Sequence, residues 1–100
     1  MLMIARLKMI LTTEELNRLN VREPPGSEPR IIADVHGMKC SEARRFINNI
    51  VHSTFQLIVI HGYNHGTAIK DMLATSFSNN HIADQYPDPF NRGVTHMKIA

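Results

Sequence analysis

Residues 55–68 read FQLIVIHGYNHGTA, and the fold turns on this stretch. Leu57, Ile58, Val59 and Ile60 form an unbroken apolar run bounded by polar residues. That is the pattern of a strand buried on both faces, where neither face accommodates a polar side chain. The run ends at His61-Gly62, crosses a short polar loop, and reopens at Gly66-Thr67 as a helical pattern. A buried strand that stops at a glycine-bearing loop and starts a helix brings backbone N–H groups and side chains to one edge of a sheet. In open α/β sheets that edge is where ligands bind.

Upstream, residues 30–35 (RIIADV) form the preceding strand, closed by His36-Gly37. From about Lys39 to Ser53 the apolar residues Ala43, Phe46, Ile47, Ile50 and Val51 recur three and four apart. Arg44, Arg45, Asn48, Asn49 and His52 take the other sides, which makes an amphipathic helix. Downstream, Ile69, Met72, Leu73 and Phe77 give a second helix its stripe, and Asn79-Asn80 stops it. Residues 81–86 are a weaker strand with Ile82 and Tyr86 on one side. The turn-rich loop PDPFNRG (87–93) excludes a central strand, and residues 94–99 form the last one.

The order is strand-helix-strand-helix-strand-strand, an α/β (α+β) chain with four strands and two helices. Strand–helix–strand chirality predicts that the first two strands are parallel and neighbouring. Their carboxyl ends then share an edge, which places Asp34 and His36 beside His61 and the loop to Gly66.

The first thirty residues look different. MLMIARLKMIL (1–11) is apolar, but its periodicity does not decide between strand and helix. Thr12 and Glu15 form a capping box that opens a short helix through about Leu19. Residues 20–30, with EPPGSEP at 23–29, have the composition of a linker. Residues 1–30 are therefore expected as an appendage to a domain at 31–100. Their apolar side chains need cover from that domain or from a second copy of the chain, as in a homodimer through the N-terminal segment.

Composition sets broader bounds. One hundred residues allow one small domain. The formal net charge of +2 permits nucleic-acid binding without the lopsided basic footprint that would argue for it. The six histidines all follow residue 30. A single cysteine, Cys40, excludes an internal disulfide and fits a cytoplasmic chain. Arg6 and Lys8 interrupt the N-terminal apolar stretch. No signal-peptide pattern follows, and about 20 apolar residues are needed to span a bilayer, so no membrane is expected.

Asp34 and His36 alternate along a strand and share a face, with Val35 on the other. An acid beside an imidazole can act as base and acid in phosphodiester hydrolysis, or the acid can hold a divalent metal. The plainer reading is a carboxylate that caps its own loop. His61 and His65, with His36, are candidates for a three-imidazole site. Their spacing lacks the tight pairing of a helical zinc motif, so contact with a phosphate or base is favoured. Gly66 and Thr67 open a helix whose N–H groups suit an anion. Tyr63 could stack on a base. Lys39, Arg44 and Arg45 border the edge from the first helix, and Arg92 from the last loop.

Three segments resemble a known family. Ala33-Asp34-Val35-His36-Gly37 resembles the Leu-Asp-x-His-Gly signature of the small MutS-related (Smr) domain. Ile60-His61-Gly62-Tyr63-Asn64-His65-Gly66 is similar in position to that family's glycine-bearing loop, and Asn91-Arg92-Gly93-Val94-Thr95 to its closing segment. The resemblance spans residues 31–100. It implies a mixed four-stranded sheet with two helices, like the C-terminal domain of a translation initiation factor. It also implies DNA or RNA binding with nicking or endonuclease activity. Asp34 and His36 would be catalytic, and Gly62 and Gly66 would bind, with Asn64 and its neighbours in the same loop. No cofactor is implied with certainty; a divalent metal such as magnesium would fall to Asp34. The family loop usually reads Gly-Lys-Gly or a Gly-x-Gly variant, whereas Tyr63 and Asn64 stand here, without that point charge for a phosphate. The alternative is a non-catalytic nucleic-acid or anion-binding module that self-associates.

Overall fold

The computed structural model describes residues 2–62 and 66–100, with side chains from residue 6 onward. Five strands form one mixed sheet: β1 (Leu19–Arg22), β2 (Arg30–Asp34), β3 (Gln56–Ile60), β4 (Ile82–Pro87) and β5 (Val94–Ile99), in spatial order β1-β2-β3-β5-β4. Four helices accompany them: α1 (Leu2–Ile10), α2 (Thr13–Leu16), α3 (Cys40–Ile50) and α4 (Ala68–Thr75). Among the described residues, no helix is long and apolar enough to cross a membrane.

The β2–α3–β3 unit follows from the sequence. β2 and β3 pair in parallel, with Asp34 opposite Ile60, and the Val35 N–H continues the ladder to the Ile60 carbonyl at 2.9 Å. In α3, Ala43, Phe46, Ile47 and Ile50 are buried, as their spacing predicts. A short 3-10 turn at Val51–Ser53 then carries the chain down to β3. β5 runs antiparallel to β3, with Val94 opposite Ile60. The carboxyl ends of β2 and β3 and the start of β5 therefore meet at one rim.

One face of the sheet carries the core. Ile31, Ala33, Val35, Leu57, Val59 and Met97 pack there against Phe46, Ile47 and Ile50 of α3 and Ile69, Met72 and Leu73 of α4. Among the described residues, no helical layer covers the other face. Ile32, Ile58 and Ile60 lie on it half-buried, so β3 is buried on one face rather than two. Its apolar run reflects a central position between β2 and β5 instead of a two-sided cover.

The segment 1–30 differs from the expected appendage, and the sheet has five strands instead of four. Leu7 of α1 and Leu11 beyond it are buried in the core. The predicted capping box is present: Thr12 Oγ1 accepts the Glu15 N–H at 3.1 Å, and Glu15 Oε1 accepts the Thr12 N–H at 3.0 Å. The short helix stops at Leu16 rather than near Leu19, because residues 19–22 add an edge strand antiparallel to β2. Pro24-Pro25-Gly26-Ser27 is the hairpin turn between them, closed by the Ser27 N–H to the Pro24 carbonyl at 3.2 Å. The two helices expected of the domain are α3 and α4; α1, α2 and the fifth strand are added by the N-terminal segment, so the likeness to the translation-factor domain is inexact.

β4 departs in a smaller way. The register with β5 shifts between Ile82 and Asp84, so Ile82 pairs with Ile99 while Tyr86 pairs with His96. The extra residue puts Ile82 on the core side and Tyr86 on the open face, not on one side as simple alternation predicts.

Candidate functional site

The rim is built from backbone first. The Asp34 N–H donates to the Arg18 carbonyl at 2.9 Å, tying the start of β1 to the end of β2. Both the His61 and Gly62 N–H groups donate to the Gly93 carbonyl, at 2.9 and 3.1 Å, tying the end of β3 to the last loop. Gly62 has φ +73°, a left-handed conformation that L side chains rarely adopt, and a Cβ there would lie 3.6 Å from His36 Cβ. A Cβ on Gly93 would lie 3.1 Å from Gly62 Cα. The three motif segments thus close on one another at van der Waals distance.

Asp34 and His36 share the open face, with side chains 38% and 66% exposed. Asp34 Oδ1 accepts the His36 backbone N–H at 3.1 Å and also contacts His36 Nδ1. A carboxylate only accepts, so Nδ1 carries the proton and the neutral ring keeps its lone pair on Nε2. The same oxygen caps the loop and fixes the orientation of the imidazole.

His61 differs from expectation. It lies at the same rim but on the core face, 6% exposed. Its Nδ1 donates to the Gly62 carbonyl at 2.9 Å, and in the neutral ring Nε2 accepts from the Thr95 hydroxyl at 2.8 Å. Alternation, continued one residue past β3, puts His61 on the opposite face from Asp34, where its two bonds fasten the rim. His36 and His61 face opposite sides of the sheet, so these two do not converge on one metal. Among the described residues, no group of three or more His, Cys, Asp or Glu side chains could hold a metal. Tyr63, Asn64 and His65 lie outside the described residues.

Gly66 and Thr67 precede α4, but the Thr67 hydroxyl donates to Asp71 Oδ2 at 2.8 Å. That carboxylate in the first turn already complements the helix dipole and competes with an anion. Arg45 is exposed on α3 and lines a cleft of about 300 Å³ with Arg18, Gly37 and Met38. Glu14, Glu15 and Glu42 line it too, so it is no uniformly basic pocket. Arg92 is exposed in the loop beside Gly93. Arg44 points away from the rim, donating to Ser76 Oγ at 3.0 Å.

Two features escaped the sequence. Arg18 lines a groove of about 620 Å³ on the open face with Asn17, Asn20, Ile32, Asp34 and His36. Asp88 and His96 form a second acid–imidazole pair, Oδ2 to Nε2 at 2.7 Å, with Tyr86 stacked on the ring at 5.1 Å. The bond from His96, joined by N–H donation from Phe90 and Asn91, holds the Asp88 carboxyl below the usual range. This pair locks the β4–β5 loop. Its only sequence signal was an aspartate followed eight positions later by a strand histidine, which is no motif.

No family model matches the chain, and no curated protein sequence matches it. Among solved structures, the crystal structure of the Smr domain of Thermus thermophilus MutS2 is similar, with a TM-score of 0.62 at 15% identity. The match covers 69% of this chain and 96% of that domain. The parallel β2–β3 pair, the rim that carries Asp34 and His36, and this likeness agree: the chain has an Smr-like fold.

Proposed function

We propose that the chain binds nucleic acid along the rim where β2 and β3 end and β5 begins, and that Asp34 and His36 hydrolyse a phosphodiester there. The observation that carries this reading is the exposed Asp34–His36 pair beside Gly62, at the open end of a sheet. With Nδ1 held by the carboxylate, His36 Nε2 takes the proton of a water as its oxygen attacks phosphorus. The imidazolium, stabilised by Asp34, returns that proton to the departing oxygen as the P–O bond breaks. Arg45 and Arg92 hold flanking phosphates, and the glycine-bearing loop with Gly66 and Thr67 borders the path.

Among the described residues of the rim, a divalent cation such as magnesium would be held through Asp34. The hydrogen bonds among the described residues use Oδ1, which leaves Oδ2 for a cation that takes its other ligands from phosphate and water. It would supply neutralisation of phosphate charge. The lone Cys40 fits a reducing compartment, and we place the chain in the cytoplasm.

A second reading keeps binding without cleavage. It is favoured by the Asp34 cap on the His36 N–H, which alone would account for that carboxylate. In this reading the chain self-associates through α1, where Met9 and Ile10 are exposed.

A salt titration of binding to single-stranded oligonucleotide tests the common premise. About three phosphate contacts give a slope of log K against log salt near about −2. A slope near zero would remove polynucleotide as the ligand.

A further inference from the structure

We infer that Arg18 supplies the phosphate contact next to the Asp34–His36 pair, in place of a lysine on the β3–α4 loop. The inference rests on the nucleic-acid reading above and assigns it a residue from outside the three motif segments. Arg18 immediately precedes β1, the strand that the N-terminal segment adds to the sheet. Its Nη1 donates to the Asp34 carbonyl at 3.2 Å and to the His36 carbonyl at 3.1 Å. The guanidinium is thereby fastened at two points to the turn that carries the acid–imidazole pair.

A guanidinium has five N–H donors. Those two bonds use Nη1, and among the described residues no hydrogen bond uses Nε or Nη2. The ion pairs among the described residues are His36–Asp34 and His96–Asp88, so no carboxylate neutralises Arg18 within 4.0 Å. Glu14 lines the same groove and works against it, as a neighbour rather than a partner. Arg18 stands on the ridge between the two clefts, and in the larger one Ile32 and Ile60 form an apolar floor. A phosphate at the ridge would meet a planar fork already held in place, while the attached base lay toward the floor. A fork matches phosphate oxygens two at a time, and prior fastening leaves less side-chain freedom to lose on binding. Tyr63 and Asn64 provide no cation of their own, so the charge comes from the other side of the rim.

The test is fluorescence anisotropy with a labelled single-stranded oligonucleotide across a salt series, using the full chain, Arg18→Gln and Arg18→Lys, with thermal unfolding of each. Arg18→Gln is expected to weaken binding about tenfold and to flatten the salt slope by about 0.7, one phosphate's share. Arg18→Lys keeps the charge and the slope but binds more weakly, having lost the fork. If Arg18 only braces the turn, Arg18→Gln lowers the melting temperature and leaves the slope unchanged, which overturns the inference. Should Arg18→Gln fail to fold, Arg18→Lys decides: unchanged affinity overturns the inference, and weaker affinity at constant slope supports it. A full chain that does not bind overturns the nucleic-acid reading itself and this inference with it. Normal binding with an unaltered Arg18→Gln slope overturns this inference alone.

Discussion

Replacing Phe46 with alanine is expected to destabilise the fold by about 3–5 kcal/mol, measured by chemical denaturation. Phe46 is fully buried and, among the described residues, is the largest of the fully buried side chains. It sits on α3 among the residues that join the helices to β2 and β3, and close-packed neighbours relax only in part around the cavity that the substitution leaves. A 100-residue domain has about 5–15 kcal/mol in total, so this one substitution removes much of it. A loss below about 1 kcal/mol would mean that the core is not centred on α3.

Asp34→Asn is expected to reduce cleavage of labelled DNA or RNA by about 10²–10⁴-fold, with oligonucleotide affinity changed little. Asparagine is nearly isosteric and can still accept the His36 N–H. It cannot stabilise an imidazolium with a full charge, nor serve a divalent cation. Removing a negative charge beside a phosphate does not weaken binding, so the two readouts separate. Running both proteins with and without EDTA shows whether the carboxylate acts through His36 or through a cation. Cleavage by Asp34→Asn within a few-fold of the parent would assign the carboxylate to the loop alone.

The central unit was legible because its signals are local and redundant. The spacing of Ala43, Phe46, Ile47 and Ile50 fits only one helical face, and all four are buried. The apolar run at 57–60 reads as a strand, and the crossover made it parallel to residues 30–35 with a shared carboxyl edge, which the pairing of Asp34 with Ile60 realises. The Thr12–Glu15 capping box was legible for the same reason. What the sequence concealed depends on tertiary partners. Leu19-Asn20-Val21-Arg22 alternates apolar and polar over only four residues, too short a pattern to announce a strand beside a Pro-rich segment, and it becomes one by pairing with the open edge of β2. The one-residue shift before Asp84 reversed Tyr86, since a period-two pattern carries no record of a bulge.

The same limit governs the site. Asp34 and His36 could be paired from alternation, but His61 could be placed only along the strand axis, not across the sheet. Its face follows from its phase with Leu57 and Val59, and the bond to Thr95 that holds it spans 34 positions. Arg18 carried no signal, because its contacts with the Asp34 and His36 carbonyls require β1 to be where it is.

Amide chemical-shift mapping on addition of a short single-stranded oligonucleotide at low salt measures directly whether this rim meets nucleic acid. The largest changes are expected at Arg18, residues 34–37, His61, Gly62 and residues 92–94. Changes confined to the opposite end of the sheet, around Arg30, Gln56 and Ala100, with the rim unmoved, would contradict it.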